Sequence, residues 1–536
     1  MDKLNGASFL EMLDSGCNNL NNRQQEINAL NVFPVPDGDT GTNMSLTFTN
    51  GMSEAVKSGS KSLPVIAKTF SRGLLMGARG NSGVILSQIF RGFSQSVQGK
   101  DELSAADLSE AMLNGQKMAY KAVMRPVEGT ILTVVRESTD EAQKYLEEHE
   151  GLSIEEYVDV LCEAAKVSLA HTPELLPVLK EARVVDSGGS GLLAVFEGLR
   201  AYLKGTPVRP LSEQEKKDQA QPLRNSGYCV EFILQLSEKG MQRYDDDKVR
   251  NTLDKLGSEV TLIQDGSTVK VRIMTNLPGD VLNQGQRYGE FRNIQIDNVA
   301  LGVRPSILDA KEETSAEEKE FGIITVAAGD GLKELFKEYR ADIVVSGGQT
   351  MNPSTEDFVS AIQKVNARHI FILPNNSNII MAARQAAEVS EGRDVIVLET
   401  KSIPQGLSAC IAFNPDADAE KNTEAMTEAV SAVKTGQVTY AIKDTVVDGR
   451  EIHEGDFMGL VEKDIVLTDQ DMVTAACRLL DEIIDEDTEI ITLIQGEDAS
   501  DEQTAQIEAY IEEHFEVDID AKKGGQPVYS YIIGAE

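Results

Sequence analysis

Two aspartates on either side of a glycine form the sharpest chemical pattern in this chain of 536 residues. They lie in Asn31–Met44, NVFPVPDGDTGTNM, where two prolines restrict the backbone and glycines release it, which predicts a shaped loop between helices. Gly38 would let Asp37 and Asp39 turn toward one point, and two carboxylate oxygens suit Mg²⁺ that also holds substrate phosphates. An ordinary Asp-Gly turn is the alternative for the isolated motif. An EF-hand is disfavoured, because loop position 12 is Phe48.

Three further glycine-containing breaks each lead directly into an apolar helical pattern. They are GARGNSG at Gly77–Gly83, EGT at Glu128–Thr130 and VDSGGSG at Val185–Gly191. Backbone N–H groups at a helix start bind anions, and glycines permit close approach of a phosphate. The first is neither a Walker A loop nor a Rossmann fingerprint, since no Lys-Ser/Thr follows it and a helix precedes it. A helix-packing turn is as good an interpretation of any one break, but four in one helical region predict a shared polar rim.

In their order and spacing these four segments resemble the nucleotide-binding subunit of dihydroxyacetone kinases. The whole chain resembles the ATP-binding subunit of bacterial fatty acid kinase. Four longer motifs support that resemblance: GGQTMNPSTED (Gly347–Asp357), LPNNSNIIMAA (Leu373–Ala383), IPQG (Ile403–Gly406) and GGQPVYSYII (Gly524–Ile533).

The resemblance implies an N-terminal helical barrel that binds ATP through Mg²⁺ at its rim. It assigns Asp37 and Asp39 to metal binding and catalysis, and the third carboxylate of dihydroxyacetone kinases falls near Asn31, with one residue more in between. Asp186 and Gly188 would lie toward the nucleoside, and Asn43, Ser82 and Gly83 would lie on the phosphates, with Thr130 nearby. The full set of expected ATP contacts is Thr40, Thr42, Asn43, Asn81, Ser82, Gly83, Thr130, Asp186 and Gly188.

In the family that the chain resembles, a separate fatty-acid-binding protein of the DegV-like family carries the acceptor, and the product is an acyl phosphate. The middle and C-terminal domains would serve the acceptor side. A fatty carboxylate is already ionised at neutral pH, and phosphoryl transfer needs positioning and charge neutralisation more than a strong base. The only histidines of the N-terminal region, His149 and His171, lie outside the motifs, which favours a carboxylate acceptor. Two alternatives stay open: a kinase for a small hydroxylated metabolite such as dihydroxyacetone, and a non-catalytic nucleotide-binding homologue.

The middle region departs from the family pattern at one point. The family joins a strand cysteine to two histidines of an HVHT strand, whereas here Cys229 faces a strand that reads Arg272-Ile273-Met274-Thr275. A thiolate with an arginine and a thioether is a poor zinc site, so we expect no zinc there. Arg272 could lower the pKa of the thiol and make it reactive, and an ordinary half-buried cysteine is the alternative.

Positioning these residues requires several domains. Apolar residues at three- and four-residue spacing predict an all-α barrel or bundle over 1–206, followed by a linker at 207–227. Strand-like segments around one helix predict a small α+β domain at 228–305. An acidic hinge at 306–320 leads to alternating strands and helices, which predict a C-terminal α/β domain at 321–536 with a largely parallel sheet and a role in partner docking.

The net charge of −36 disfavours nucleic acid and anionic membranes, and a phosphate ligand of so acidic a chain should need a cation. Glu451–Glu536 holds 24 acids and 4 bases, which favours either simple solubility or a docking surface for a basic partner. Five scattered cysteines without a CxxC, no signal peptide and no long apolar run predict a cytoplasmic protein without membrane insertion. The sequence leaves the oligomeric state open, a homodimer included.

Overall fold

A computed structural model of the chain describes residues 2–32, 38–211, 228–237, 318–348, 352–390, 392–441, 445–447, 450–462, 464–536 and, with short gaps, 241–298. The chain divides into two compact units, one of Met1–Pro210 with Glu317–Glu536 and one of Leu211–Ala316. Asp37, nearly all of the linker and most of the acidic hinge lie outside the described residues.

The first part of the larger unit is helical, as predicted. Its described residues hold ten helices: α1 (Gly6–Asn22), α2 (Gln24–Ala29), α3 (Thr40–Lys57), α4 (Leu63–Met76), α5 (Gly80–Ser96), α6 (Ala105–Ala122), α7 (Ile131–Glu148), α8 (Ile154–Leu175), α9 (Pro177–Ala182) and α10 (Ser187–Leu203). A two-residue antiparallel pair, β1 (Leu4–Asn5) and β2 (Glu102–Leu103), closes one end. No helix in the described part of the chain is long and apolar enough to cross a membrane.

Local sequence explains where these helices begin and which face they bury. Ser104 begins α6 and Ser153 begins α8 with capping boxes, in which the serine hydroxyl accepts from a backbone N–H while an acid three residues on accepts from the serine N–H. The apolar faces meet in one core, where the rings of Phe48, Phe70 and Phe90 pack edge to face with centroids 5.0 to 5.5 Å apart. We call this part, residues 2–210, the helical domain.

In its described residues, the smaller unit is an antiparallel sheet with two helices. Its elements are β3 (Tyr228–Leu236), α11 (Asp246–Leu253), β4 (Ser258–Asp265), β5 (Thr268–Thr275), α12 (Pro278–Gly285) and β6 (Gly289–Asn298), with strand order β4-β5-β3-β6. Met274 lies directly opposite Cys229, and Arg272 lies opposite Glu231, with which it forms an ion pair of 3.4 Å. The guanidinium of Arg272 therefore has a buried carboxylate as its neighbour; the predictions of no zinc and of a reactive or ordinary thiol stay predictions.

A parallel sheet begins the C-terminal part of the larger unit, which confirms the predicted α/β alternation. Its strands are β7 (Lys319–Ala327), β8 (Ile343–Ser346), β9 (Ala367–Leu373) and β10 (Asp394–Val397), in the order β10-β9-β7-β8 and all parallel. The helices between and after them are α13 (Asp330–Glu338), α14 (Thr355–Lys364), α15 (Ile380–Val389), α16 (Ile403–Ala412) and α17 (Ala419–Ala432).

A second, mixed sheet follows. Six strands have the order β15-β14-β11-β18-β16-β17, and among them only β16 and β17 pair in parallel. The described elements of this part are β11 (Lys434–Tyr440), β12 (Thr445–Val447), β13 (Arg450–Ile452), β14 (Phe457–Val461), β15 (Asp464–Asp469), α18 (Met472–Ile483), β16 (Ile490–Gln495), α19 (Asp501–His514), β17 (Asp518–Lys523) and β18 (Tyr529–Ala535). The parallel arrangement thus covers the first four strands of the C-terminal region only. We call residues 318–536 the α/β domain.

The carboxyl edge of the parallel sheet is where the helical domain packs. Ala78 and Val84, from the turn before α5 and from α5 itself, are buried in the same apolar cluster as Ile324 of β7 and Phe358 of α14. Open parallel sheets bind ligands at this edge, because the loops after the strands converge there. Here two such loops, which follow β8 and β9, bring polar side chains to the helical domain.

Candidate functional site

Four helix N-termini of the helical domain meet around one cavity of about 220 Å³. They are the starts of α3, α5, α7 and α10, whose first N–H groups have no partner within their own helix. Each N-terminus also carries the positive end of a helix dipole, so together they favour an anion. The cavity lining includes these residues from the predicted set: Asn31, Asp39, Thr40, Asn43, Asn81, Ser82, Thr130, Asp186 and Gly188.

Two residues of the predicted ATP set lie away from the cavity lining. The Thr42 hydroxyl accepts hydrogen bonds from Gln24 and Asn28 of α2, at 2.9 and 3.0 Å, and so holds α2 against α3. Gly83 packs against α3, where an added Cβ would lie 2.4 Å from the Thr47 hydroxyl oxygen. Both residues bring helices close together. Neither of them lines the cavity in which a ligand would bind.

Asp39 stands at the start of α3 with its carboxylate 9% exposed. Its backbone carbonyl accepts from the Asn43 N–H at 2.8 Å, and its Oδ2 accepts from Nδ2 of Asn352 at 2.5 Å. Asn352 belongs to the loop after β8, so a hydrogen bond from the α/β domain fixes the orientation of this carboxylate. The sequence pattern around Asp39 gives no indication of a partner 313 positions away.

Asn31 is a buried residue that lines the cavity. Its Oδ1 accepts from the hydroxyl of Thr40, and from that of Ser187 at 3.3 Å. The Ser187 hydroxyl also lies 3.2 Å from the Thr40 hydroxyl oxygen, so the starts of α3 and α10 are joined through Asn31. This network orders the polar end of the cavity.

Asp186 is buried at the start of α10, where its Oδ2 accepts from the Gly189 N–H at 2.7 Å. Burial raises the pKa of this carboxyl group to about 6, and the N–H donors of Gly189 and Ile131 offset part of that effect. A carboxyl group already bonded to the N–H of its own helix serves first as an N-cap. Gly188 beside it lies close to α7, where an added Cβ would be 3.2 Å from the Cβ of Ile131, a tight contact.

The turn before α5 joins the two domains next to the cavity. Arg79 donates through Nη1 to the backbone carbonyl of Asn352 at 2.9 Å, and the Thr355 N–H donates to the Ala78 carbonyl at 3.2 Å. Asn81 donates through Nδ2 to Oδ1 of Asn378 at 3.3 Å, and Asn378 itself lines the cavity. The phosphate-type turn predicted at 77–83 is therefore built against the α/β domain.

The rest of the lining is mostly apolar and includes residues that the sequence motifs did not indicate. Ile85, Val123, Ile131 and Met381 form much of this surface, the last of them from α15 of the α/β domain. An apolar surface opposite a set of N–H donors suits a ligand with a flat, weakly polar part and an anionic part. Met381 lies inside the LPNNSNIIMAA motif, which was the only sequence feature that could have suggested it.

The oxygen donors at the polar end fit a hard cation. A carboxylate oxygen of Asp39 and neighbouring amide oxygens are the ligands that Mg²⁺ prefers, and they are unsuited to zinc. Within the described residues, which exclude Asp37, no three His, Cys, Asp or Glu side chains come together as a metal cluster. A cation here would thus share its coordination with the bound ligand.

Comparison with known families agrees with this arrangement. Residues 34–201 match the DAK2 domain, so the cavity belongs to a DAK2-type domain. Residues 225–305 and 322–536 match the FakA-like middle and C-terminal domains of fatty acid kinase. The chain is 46% identical over 553 residues to Protein YloV of Bacillus subtilis (strain 168), with 99% of each chain covered. It is 42% identical over 554 residues to an uncharacterized protein of Staphylococcus aureus (strain USA300), with all of each chain covered. This chain belongs to the FakA-like family of fatty acid kinase subunits.

Similar solved structures cover parts of the chain. A DegV family protein from Thermus thermophilus, whose title describes fatty acid binding, aligns with a TM-score of 0.31 and 14% identity over 40% of this chain and 99% of that one. The dihydroxyacetone kinase of C. freundii aligns with a TM-score of 0.31 and 11% identity over 41% of this chain and 48% of that one.

Proposed function

We propose that this protein is a kinase component that uses Mg-ATP to phosphorylate a fatty acid presented by a separate binding protein, with an acyl phosphate as product. The observation that carries the proposal is the convergence of four helix N-termini and the Asp39 carboxylate on one cavity. Membership of the family supports it, because its domains are described as those of a fatty acid kinase.

The residues around the cavity would each have a simple role. The N-termini of α3 and α5 would hold the phosphate chain, since Thr40 and Asn43 of α3 and Gly80, Asn81 and Ser82 of α5 line the cavity. Ile85, Ile131 and Met381 would contact the base by apolar packing. Asp39, together with Asp37 outside the described residues, would hold Mg²⁺, which when bound neutralises charge on the phosphates.

The acceptor is proposed to be a carboxylate because the cavity offers little for activating a hydroxyl. No histidine is among the residues that line it in the described part of the chain, and Asp186 is bonded to the start of its own helix. A fatty carboxylate attacks without losing a proton, so positioning and charge neutralisation are enough. We propose a DegV-like fatty-acid-binding protein as the partner that delivers it. A kinase for a small hydroxylated metabolite is the second candidate.

The test combines the protein with γ-labelled ATP, Mg²⁺ and fatty acid, with and without a lipid-loaded DegV-like protein from the same organism. We expect labelled acyl phosphate only when the partner is present. Transfer of the label to dihydroxyacetone instead would favour the second candidate. Tight ATP binding without transfer to any acceptor would contradict both and indicate a non-catalytic homologue.

Two aspartate variants test the site itself. Asp39→Asn keeps the size of the side chain but removes its charge, so Mg²⁺-dependent ATP affinity should fall by about tenfold or more, as is common for metal-site changes. Asp14→Asn, at an exposed position of α1, is the matched control and should leave it unchanged. Isothermal titration with a non-hydrolysable ATP analogue measures both. Equal affinities for the two variants would remove Asp39 from the cation site, and the pair Asp37→Ala with Asp39→Ala extends the test to the residue outside the described range.

A further inference from the structure

A buried amide of the α/β domain has an oxygen to which none of the described residues donates a hydrogen bond. Asn352 is 2% exposed and donates through Nδ2 to Asp39, yet its Oδ1 has no hydrogen-bond partner in the described part of the chain. Buried amide oxygens are nearly always bonded, since an unpaired buried acceptor costs about 1–3 kcal/mol. A buried oxygen of this kind, on an amide that bonds to the Asp39 carboxylate of the cavity, is suited to a ligand.

Asn31 and Asn352 are two possible oxygen donors next to Asp39, and they differ in the hydrogen bonds that their Oδ1 atoms already accept. Asn31 was assigned to the metal by resemblance alone, and its Oδ1 already accepts from the hydroxyls of Thr40 and Ser187. An amide oxygen has two lone pairs, so these two bonds occupy it. The Oδ1 of Asn352 has both lone pairs available.

The backbone around Asn352 is held firmly, as a ligand requires. Arg79 donates to the carbonyl of Asn352, and the Thr355 N–H donates to the Ala78 carbonyl. Ser354 caps α14 with a capping box, in which Asp357 accepts from the Ser354 N–H at 2.7 Å. The amide therefore belongs to a short segment, 352–355, that is bonded to the turn before α5 and leads into the start of α14.

We infer that Asn352 is a cation-site residue, whose Oδ1 binds the divalent cation beside Asp39. The inference deepens the proposed function and rests on it, because the cation is the one that would accompany ATP. An amide oxygen next to a carboxylate is a hard oxygen donor set of the kind that Mg²⁺ and Mn²⁺ take. The α/β domain thereby supplies part of the nucleotide site, and acceptor-side and nucleotide-side domains meet at one ion.

The experiment measures binding of Mn²⁺ to the full chain in the presence of ADP, with free Mn²⁺ followed by electron paramagnetic resonance. Asn352→Ala removes the oxygen and should raise the free Mn²⁺ concentration at half-saturation about tenfold or more. Asn375→Ala is the matched control: Asn375 is a buried amide of the same domain whose Oδ1 also has no partner among the described residues, but its Nδ2 bonds to β7 and not to Asp39. Asn375→Ala should lower the melting temperature of the protein without changing the free Mn²⁺ concentration at half-saturation.

Asn352→Asp separates the oxygen from the amide donor and is close in size to the natural residue. If Oδ1 binds the cation, this variant should keep or increase Mn²⁺ affinity, because a carboxylate oxygen replaces an amide oxygen. Equal loss in Asn352→Asp and Asn352→Ala would show that only the hydrogen bond to Asp39 matters, and would overturn the inference. Unchanged Mn²⁺ binding in Asn352→Ala would overturn it as well. A natural protein that binds no Mn²⁺ with ADP would instead contradict the proposed function, and this inference with it.

Discussion

The cavity has two walls that are built in different ways. The inner wall, Thr130, Ile131 and Asp186–Gly188, is held by groups of the helical domain alone, such as the Thr172 hydroxyl that accepts from the Asp186 N–H at 3.1 Å. The junction wall, Asn81 and Asn378, takes one of its two residues from the α/β domain, whose Asn352 also bonds to Asp39. One wall is complete when the helical domain folds, and the other exists only when the two domains are in contact.

This difference shows how the site can depend on a domain that contributes few atoms to it. A change in the inner wall should act through the stability of the helical domain. A change in the junction wall should act on ligand affinity, because Asp39 keeps its orientation only while Asn352 is in place. Three predictions test the contrast, in order of decreasing effect.

The largest effect is expected for Asp186→Asn in the inner wall. The pKa of Asp186 rises from the usual 3.8 to about 6 on folding, so its favourable contribution is complete below pH ~4 and is lost as the pH rises through about 6. Two pKa units correspond to about 3 kcal/mol. The amide of the variant does not titrate, so the free energy of unfolding of the variant relative to the natural protein should increase by that amount between pH ~4 and ~7. Urea unfolding followed by circular dichroism across this range measures it.

Asp418→Asn provides the matched control for the sign of the pH dependence of the unfolding free energy. Asp418 also begins a helix, but it is exposed, and the Lys421 N–H that bonds to it lowers its pKa. Its contribution is therefore present at neutral pH and lost as the pH falls through that lowered pKa, which gives a difference curve of opposite slope. The same slope for both variants would mean that burial does not control Asp186.

A smaller effect on stability, but a clear one on affinity, is expected for Gly80→Ala at the junction wall. Gly80 has φ +58°, where a residue with a Cβ costs about 1–2 kcal/mol, and that Cβ would lie 2.6 Å from Nδ2 of Asn43. Gly99 has φ +78° with nothing within 4 Å of an added Cβ, so Gly99→Ala isolates the backbone cost. Calorimetry should show a loss for Gly99→Ala and a loss at least as large for Gly80→Ala, and nucleotide titration a weaker complex for Gly80→Ala only. Equal affinities would mean that Asn43 does not touch the ligand.

The smallest effect is expected for Arg79→Met, which removes one contact between the domains. Arg79 donates to the Asn352 carbonyl and lies 3.8 Å from Asp357, and the loss of such a part-buried pair costs about 1 kcal/mol. Lys57→Met, which breaks an exposed pair with Glu54 on α3, should cost about 0.5 kcal/mol or less. Thermal unfolding in low and high salt compares them. A larger loss for Lys57→Met would argue against a tight junction at Arg79.

Local sequence was enough to predict the helical domain and most of the inner wall. Glycine turns, helix caps and apolar spacing depend on residues three or four positions apart, which is why Thr130 and Asp186 could be placed at helix starts and Asp39 in a loop between helices. The parallel sheet was predictable for the same reason, since strands and helices alternate in sequence. The mixed second sheet was less predictable from the sequence, because its strand order brings together segments far apart in the chain.

The junction wall could not be predicted, although its residues stand in motifs that were noticed. Asn352 and Asn378 lie in GGQTMNPSTED and LPNNSNIIMAA, which were assigned to the acceptor side. Their contacts with Asp39 and Asn81 span 313 and 297 positions, and no periodicity reports a contact at that separation. Thr42 and Gly83 show the converse, since a motif position can serve helix packing alone.

The burial of Ala78 and Val84 within the apolar cluster of the α/β domain has a consequence for protein engineering. A fragment of residues 1–210 would turn these side chains to water and leave an apolar patch that promotes aggregation. Domain exchange between relatives meets the same constraint: a chimaera has to take the turn before α5 and the 352–357 loop from one parent. The two segments therefore have to be transferred together, although more than 260 residues of sequence separate them.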